Sequence, residues 1–194
     1  MPSSDYQIRA QQAIDHAFLQ RLYASTRTTE LSAFGWEVSA INAFLQQQFL
    51  LQSRYYQDHF PNADFWLIER HDQPIGRLYL LWDQASVQLI DIALLPEQRG
   101  AGLGSRLLNE LLARTDTCGL AVKLHVESHN PALRLYLRLG FGIIADKGVY
   151  LEMQRPPRSA TTDRFADVTL PKLWPDQNMP LSLPSAERVA ARPN

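Results

Sequence analysis

Apolar residues change period several times along the chain, and the changes divide it into elements. Tyr6–Gln11 alternates as a short strand. Asp15 stands where an N-cap is expected, ahead of a helix with Phe18, Leu19, Leu22 and Tyr23 at helical spacing. A second helix places Ile41, Phe44, Leu45, Gln48, Phe49, Gln52 and Tyr56 on one stripe. FWLIER (65–70) and IGRLYLLW (75–82) read as strands joined by a turn at His71-Asp72-Gln73-Pro74. QLIDIALL (88–95) is apolar on both faces and so predicts a central strand. A glycine-rich turn then opens a helix carrying Leu103, Leu107, Leu108, Leu111 and Leu112. LAVKLHVES (120–128) predicts a strand, PALRLYLRL (131–139) a helix, and FGIIAD with VYLEMQ a closing strand pair. The order βααβββαβαββ predicts an α/β (α+β) domain with one mixed central sheet and helices on both faces.

Composition adds a boundary and several exclusions. The 194 residues suit one domain with chain to spare, and seven of the twelve prolines follow Arg155. Residues 1–155 are therefore read as the domain and 156–194 as a Pro-rich, largely irregular extension. Phe165, Leu170, Leu173 and Trp174 are apolar positions in that extension, suited to docking on the body or on a partner. With 19 basic against 20 acidic residues, the chain lacks the charge of a nonspecific nucleic-acid binder. The single Cys118 excludes an intramolecular disulfide framework and a Cys-based zinc cluster, and no metal is expected. Cys118 falls at a predicted helix end, where an inert, partly buried thiol is expected. The N-terminus does not resemble a secretory signal. No apolar run approaches the roughly 20 residues of a membrane span. A soluble, cytoplasmic protein without a membrane partner is expected.

Most of the chemical information sits in Leu94–Ser105. A buried strand runs into Arg99-Gly100-Ala101-Gly102-Leu103-Gly104-Ser105 and from there into an amphipathic helix. Unpaired N–H groups at the positive end of a helix suit an anion, best a phosphate, and glycines let the backbone approach it. Arg99 adds a permanent charge. Three alternate glycines also suit a turn that only packs helix against strand. The mononucleotide P-loop is excluded because Gly104-Ser105-Arg106 lacks its lysine. The dinucleotide fingerprint is excluded by the G-x-G-x-G spacing and by Ala121 and Val122 where an acid should stand.

A second segment, Asn130-Pro131-Ala132 through Leu135-Tyr136 to Leu139-Gly140-Phe141, follows the next strand. Together the two segments resemble the GNAT superfamily of N-acetyltransferases. Arg99, Gly102 and Gly104 match its Arg/Gln-x-x-Gly-x-Gly/Ala motif, and 130–141 matches its Asn-Pro-Ala…Leu-Tyr…Leu-Gly-Phe segment. The resemblance runs from about Tyr6 to Gln154 and leaves the extension outside.

The resemblance implies acetyl-CoA as cosubstrate. Its pyrophosphate would lie on Arg99, Gly100, Ala101, Gly102, Leu103, Gly104 and Ser105. Its pantetheine arm would lie along Ile92, Ala93 and Leu94, with an amide near Leu94 polarising the thioester carbonyl. Asn130 would cap its helix and bond the cofactor arm. Tyr136 would protonate the departing thiolate, although packing beside Leu133 and Phe141 also explains an aromatic there. An acceptor amine would attack directly. For its base, Asp91 comes first, because Asp-Ile-Ala-Leu resembles the substrate-amine strand of sugar-amine acetyltransferases and an acid amid apolar neighbours needs a partner. Glu127 and His125 follow, sharing one strand face with Lys123. Each of these three could equally be a satisfied polar residue at a strand end.

The two N-terminal helices and a loop at Thr26–Glu37 would shape the acceptor pocket, with Trp36, Glu37, Tyr55 and Tyr56 as aromatic and acidic walls. Ordinary helix packing explains those residues equally well. Polyamine, amino acid, amino sugar, antibiotic and protein N-terminus or lysine are not ranked as acceptors. A homodimer is left open. The rival function is a non-catalytic acyl-CoA-binding regulatory module whose tail engages a partner.

Overall fold

In the computed structural model, residues 5–32 and 35–158 are described. The expectations for residues 159–194, including Phe165, Leu170, Leu173 and Trp174, lie outside them. In chain order the elements are β1 (Gln7–Ala10), α1 (His16–Ser32), α2 (Val38–His59), β2 (Asp64–Arg70), β3 (Gln73–Trp82), β4 (Ser86–Leu94), α3 (Leu103–Thr117), β5 (Ala121–Glu127), α4 (Leu133–Arg138), β6 (Gly142–Asp146) and β7 (Tyr150–Arg155). This is the expected order, with short 3-10 turns at Ala13–Asp15 and Pro96–Gln98. The seven strands form one mixed sheet in the order β1-β2-β3-β4-β5-β7-β6. Every neighbouring pair is antiparallel except β4 with β5, which is parallel.

Alternation along the strands feeds two cores. Trp66, Ile68, Leu78, Leu80 and Leu89 join the leucine stripe of α3 and Tyr136 of α4 on one face. Leu67 faces the other way, into a cluster with Phe18, Leu19 and Leu22 of α1 and Ile41, Leu45 and Phe49 of α2. The helices therefore cover both faces, as the sequence pattern requires.

Three local readings are corrected. Asp15 does not simply cap α1. It closes the chain between β1 and α1, accepting two bonds of 2.8 Å from Arg9 and one of 2.7 Å from the Gln12 amide. The Arg9 hydrogen bonds hold its carboxyl below the usual carboxylate range. The β2–β3 turn is tighter than expected: His71 and Asp72 both take positive φ, 50° and 58°, as a two-residue hairpin demands. Gln73 and Pro74 already belong to β3, and Pro74 sits beside a register irregularity at Ile68/Glu69, where a missing N–H is tolerated. The expected loop at Thr26–Glu37 is largely helix, because α1 runs on to Ser32.

The feature that shapes the site lies in β4. Tyr79 pairs with Asp91 and Leu80 with Leu89, so Ile90 is an extra residue without an opposite number on β3. Such a bulge reverses the facing of everything beyond it. Leu89 faces the α3 core with Leu80, whereas Asp91 shares the α1/α2 face with Tyr79. At the far end of the same strand pair, a Cβ on Gly76 would lie 2.5 Å from the Ala93 carbonyl oxygen and 2.6 Å from Leu94 Cδ2. Glycine is thus needed for β3 to approach the last residues of β4. Gly76→Ala is expected to destabilise the fold by about 1–3 kcal/mol through overpacking, lowering the urea midpoint. An unchanged midpoint would contradict this close approach.

Candidate active site

The site is built where the sheet opens. Parallel pairing of β4 with β5 runs from Ser86–Ala121 to Leu89–Leu124 and goes no further. Beyond it β4 keeps β3 as a neighbour while β5 keeps β7, so the two strands part after the bulge at Ile90. Among the described residues, the β4 edge that carries Ile92, Ala93 and Leu94 has no strand partner on the β5 side. Backbone donors and acceptors in such a position need water or a ligand.

The glycine loop continues from that edge. Gly100 and Gly102 adopt positive φ, 78° and 82°, and a Cβ on either would meet nothing within 4 Å. Gly104 differs, lying within α3 beside Leu94. Only two of the three glycines therefore serve backbone conformation. Gly102 is the N-cap of α3 and no side chain caps it, so the first-turn N–H groups around Leu103, Gly104 and Ser105 have no side-chain acceptor. Arg99 folds back so that its Nε donates to the Leu94 carbonyl at 2.8 Å, tying the loop to the end of β4. The exposed glycine backbone, the uncapped helix start and the adjoining open strand edge fit a pyrophosphate joined to an extended arm.

On the other side of the opening, Asn130 Oδ1 accepts from the Ala132 amide at 2.9 Å, shaping the turn ahead of α4. Tyr136 is 7% exposed and stacks edge-on against Phe141 with ring centres 5.7 Å apart. Burial, with a smaller contribution from the Asp91 carboxylate, pushes its hydroxyl up to about 12. Tyr136 therefore keeps its proton at neutral pH and lies within electrostatic reach of Asp91.

Asp91 is not an isolated acid. Its Oδ2 meets Arg77 Nη2 at 2.5 Å and accepts from the Tyr56 hydroxyl at 3.3 Å. Arg77 is 4% exposed; its Nη2 also donates to Gln52 Oε1 at 2.9 Å. Its guanidinium carbon lies 5.1 Å from the Tyr79 ring centre and 5.9 Å from that of Tyr56. Arg77 and Tyr79 are not among the candidate site residues of the sequence, and Gln52 figures there only as part of the α2 stripe. A signal was present: Arg77 stands in the otherwise apolar run IGRLYLLW, and a buried cation needs an anion.

The remaining candidates spread out. Glu127 is half-buried on the α1/α2 face, 3.8 Å from Arg27 of α1 and 3.5 Å from His129. His125 shares that face but is 42% exposed and lies 3.9 Å from Glu152 on β7, on the side away from β4. Of the expected pocket walls, only Tyr56 reaches Asp91. Trp36 packs on Phe44 at 5.6 Å and Tyr55 stacks on His59 at 4.0 Å. Glu37 is the N-cap of α2. Among the described residues, no cluster of three or more His, Cys, Asp or Glu side chains could hold a metal. Nor is any described helix long and apolar enough to cross a membrane.

Comparison with known proteins agrees with this geometry. Residues 19–141 match the model of the Acetyltransferase (GNAT) family. The chain belongs to that family. A mycothiol acetyltransferase from Actinosynnema mirum is 37% identical over 79 residues, 40% of this chain. The match covers only 23% of that relative's length. Among solved structures, a PaiA N-acetyltransferase from Thermoplasma acidophilum in complex with coenzyme A shares the fold, with a TM-score of 0.58 and 19% identity over 78% of this chain and 98% of that one. Spermidine N-acetyltransferase from Vibrio cholerae, in complex with CoA and spermine, gives a TM-score of 0.55 and 22% identity over 80% of this chain and 97% of its own.

One expectation at the far end of α3 is overturned. Cys118 is exposed, because it forms the C-cap of α3 and the chain turns there at Gly119 with φ 67°. As the chain's single thiol, it is expected to take up one equivalent of iodoacetamide without denaturant. Labelling that required unfolding would contradict the placement.

Proposed function

We propose that the chain is an acetyl-CoA-dependent N-acetyltransferase that acts on a primary amine, with residues 1–155 as its working unit. The observation that carries this reading is the unpartnered β4 edge running directly into the uncapped start of α3, with a protonated tyrosine across the opening. Family membership supports it, and so do the CoA complexes of the Thermoplasma and Vibrio proteins. The Vibrio enzyme, named for spermidine, also makes an amine the natural class of acceptor.

Acetyl-CoA supplies an activated thioester carbonyl. Backbone N–H groups from Gly100 to Ser105 take its pyrophosphate, with the Arg99 side chain tying their loop to the end of β4. The edge of Ile92, Ala93 and Leu94 holds the pantetheine arm in the manner of an added strand. An amide near Leu94 faces the negative charge that builds on the thioester oxygen. Asn130 steadies the arm from the start of α4. Tyr136 holds its proton at neutral pH and gives it to the departing sulfur. Asp91 accepts the proton that the acceptor ammonium must lose before its nitrogen can attack. Glu127 is the second choice for that role, and His125 is the third because it is turned toward Glu152.

Release of free CoA thiol from acetyl-CoA with a panel of primary amines, alongside calorimetric binding of CoA, tests this reading. The parent chain is expected to bind CoA and to release thiol with its acceptor. Gly102→Glu should abolish binding, and Tyr136→Phe should lower kcat about a hundredfold while sparing it. Equal turnover in Tyr136→Phe would remove that residue from the chemistry. CoA binding without turnover on any amine would favour an acyl-CoA-binding module instead.

A further inference from the structure

Asp91 is held by one oxygen only. Both the Arg77 Nη2 contact and the Tyr56 hydroxyl bond fall on Oδ2, and Oδ1 makes no hydrogen bond among the described residues. The side chain is 18% exposed, so Oδ1 is neither sealed in the core nor freely solvated. Arg77 itself cannot swing away. Gln52 of α2 holds its Nη2, the Tyr56 and Tyr79 rings lie against its guanidinium, and the Tyr79 hydroxyl is anchored on Gln11 Oε1 at 2.7 Å.

We propose that Arg77 is a positioning residue for acetyl transfer: it clamps Oδ2 of Asp91 and so presents Oδ1 to the acceptor. The inference rests on the N-acetyltransferase reading and on Asp91 as the base within it. A buried ion pair adds little net stability over apolar residues of similar size, so stability gives little reason for this one. Orientation of the acid accounts for it better. Because Arg77 never approaches the reacting atoms in this scheme, it acts only through Asp91.

Several other ionisable groups surround Asp91. From β3 come Arg77 and Tyr79, from α2 Tyr56, and from α4 Tyr136. Asp15, ahead of α1, acts on Tyr79. Lys123, His125 and Glu127 of β5 lie on the same sheet face, with Arg27 of α1 against Glu127. The three tyrosines are raised above their ordinary range, chiefly by burial, and do not titrate near neutrality. His125 lies against Glu152, on the side away from β4.

Without Arg77 the hold on Oδ2 is reduced to the Tyr56 hydroxyl, and the direction of Oδ1 toward the acceptor is no longer fixed. The test is kcat and the acceptor KM, by thiol release with the best acceptor, for the parent, Arg77→Met, Arg77→Lys and Tyr56→Phe. Folding is checked by circular dichroism. In Arg77→Met, kcat is expected to fall by roughly tenfold to a hundredfold while CoA binding holds. Arg77→Lys, which puts a cation back against Oδ2, should recover part of that loss, and Tyr56→Phe should lose less. If Arg77→Met does not fold, Arg77→Lys and Tyr56→Phe decide, and a parent-like kcat in both would overturn the proposal. So would an Arg77→Met chain that keeps the parent's kcat, or a loss that Arg77→Lys does not relieve. A parent chain that binds CoA yet turns over no amine would instead overturn the underlying reading, and this inference with it.

Discussion

Strands β4 and β5 are the one parallel pair in the sheet, and their pairing ends at Leu89 and Leu124. The bulge at Ile90 sits immediately beyond that end. Had pairing continued, the backbone of Ile92–Leu94 would be satisfied within the sheet and no extended ligand could add there. The early stop turns one strand into both a core element and an open edge. The start of α3 lies beside the end of the same strand, where Gly104 meets Leu94. The bulge separately sends Asp91 to the face covered by α1 and α2, while Ile92 and Leu94 keep contact with the α3 side. The open edge and the candidate base thus follow from two features that meet at Ile90, the end of parallel pairing and the bulge.

The opposite face is organised by the Arg77–Asp91 pair. Fixing a charge this deep requires an ionic partner, hydrogen bonds and aromatic faces together, and α2 supplies several of them through Gln52 and Tyr56. Docking of α2 on the sheet is in that way coupled to the orientation of the acid. A change in α2 packing would be felt at Asp91 before it disturbed the glycine loop.

Much of this was legible in the sequence. The leucine stripe of α3, the apolar run of β4 and the glycine-rich turn are local patterns, and local patterns survive translation into structure. The bulge was not legible, because QLIDIALL is apolar on both faces and a slip of one residue leaves no trace in a period of two. Arg77 and Asp91 were each visible as charges in apolar strands, but their meeting depends on the register between β3 and β4. Asp15 was misread for the same reason, its partners Arg9 and Gln12 being set by how β1 enters the sheet. Cys118 was misplaced because exposure at a helix end depends on where the following turn carries the chain.

The central claim is that the β4 edge beyond Ile90 is open in the free protein and is completed by the pantetheine arm. Backbone amide hydrogen exchange at Ile92 and Leu94, the alternate amides that face away from β3, followed with and without saturating CoA, tests it most directly. Fast exchange in the free protein that becomes protected on CoA binding is the predicted result. Exchange that CoA leaves unchanged along this edge, under conditions where CoA is demonstrably bound, would contradict it.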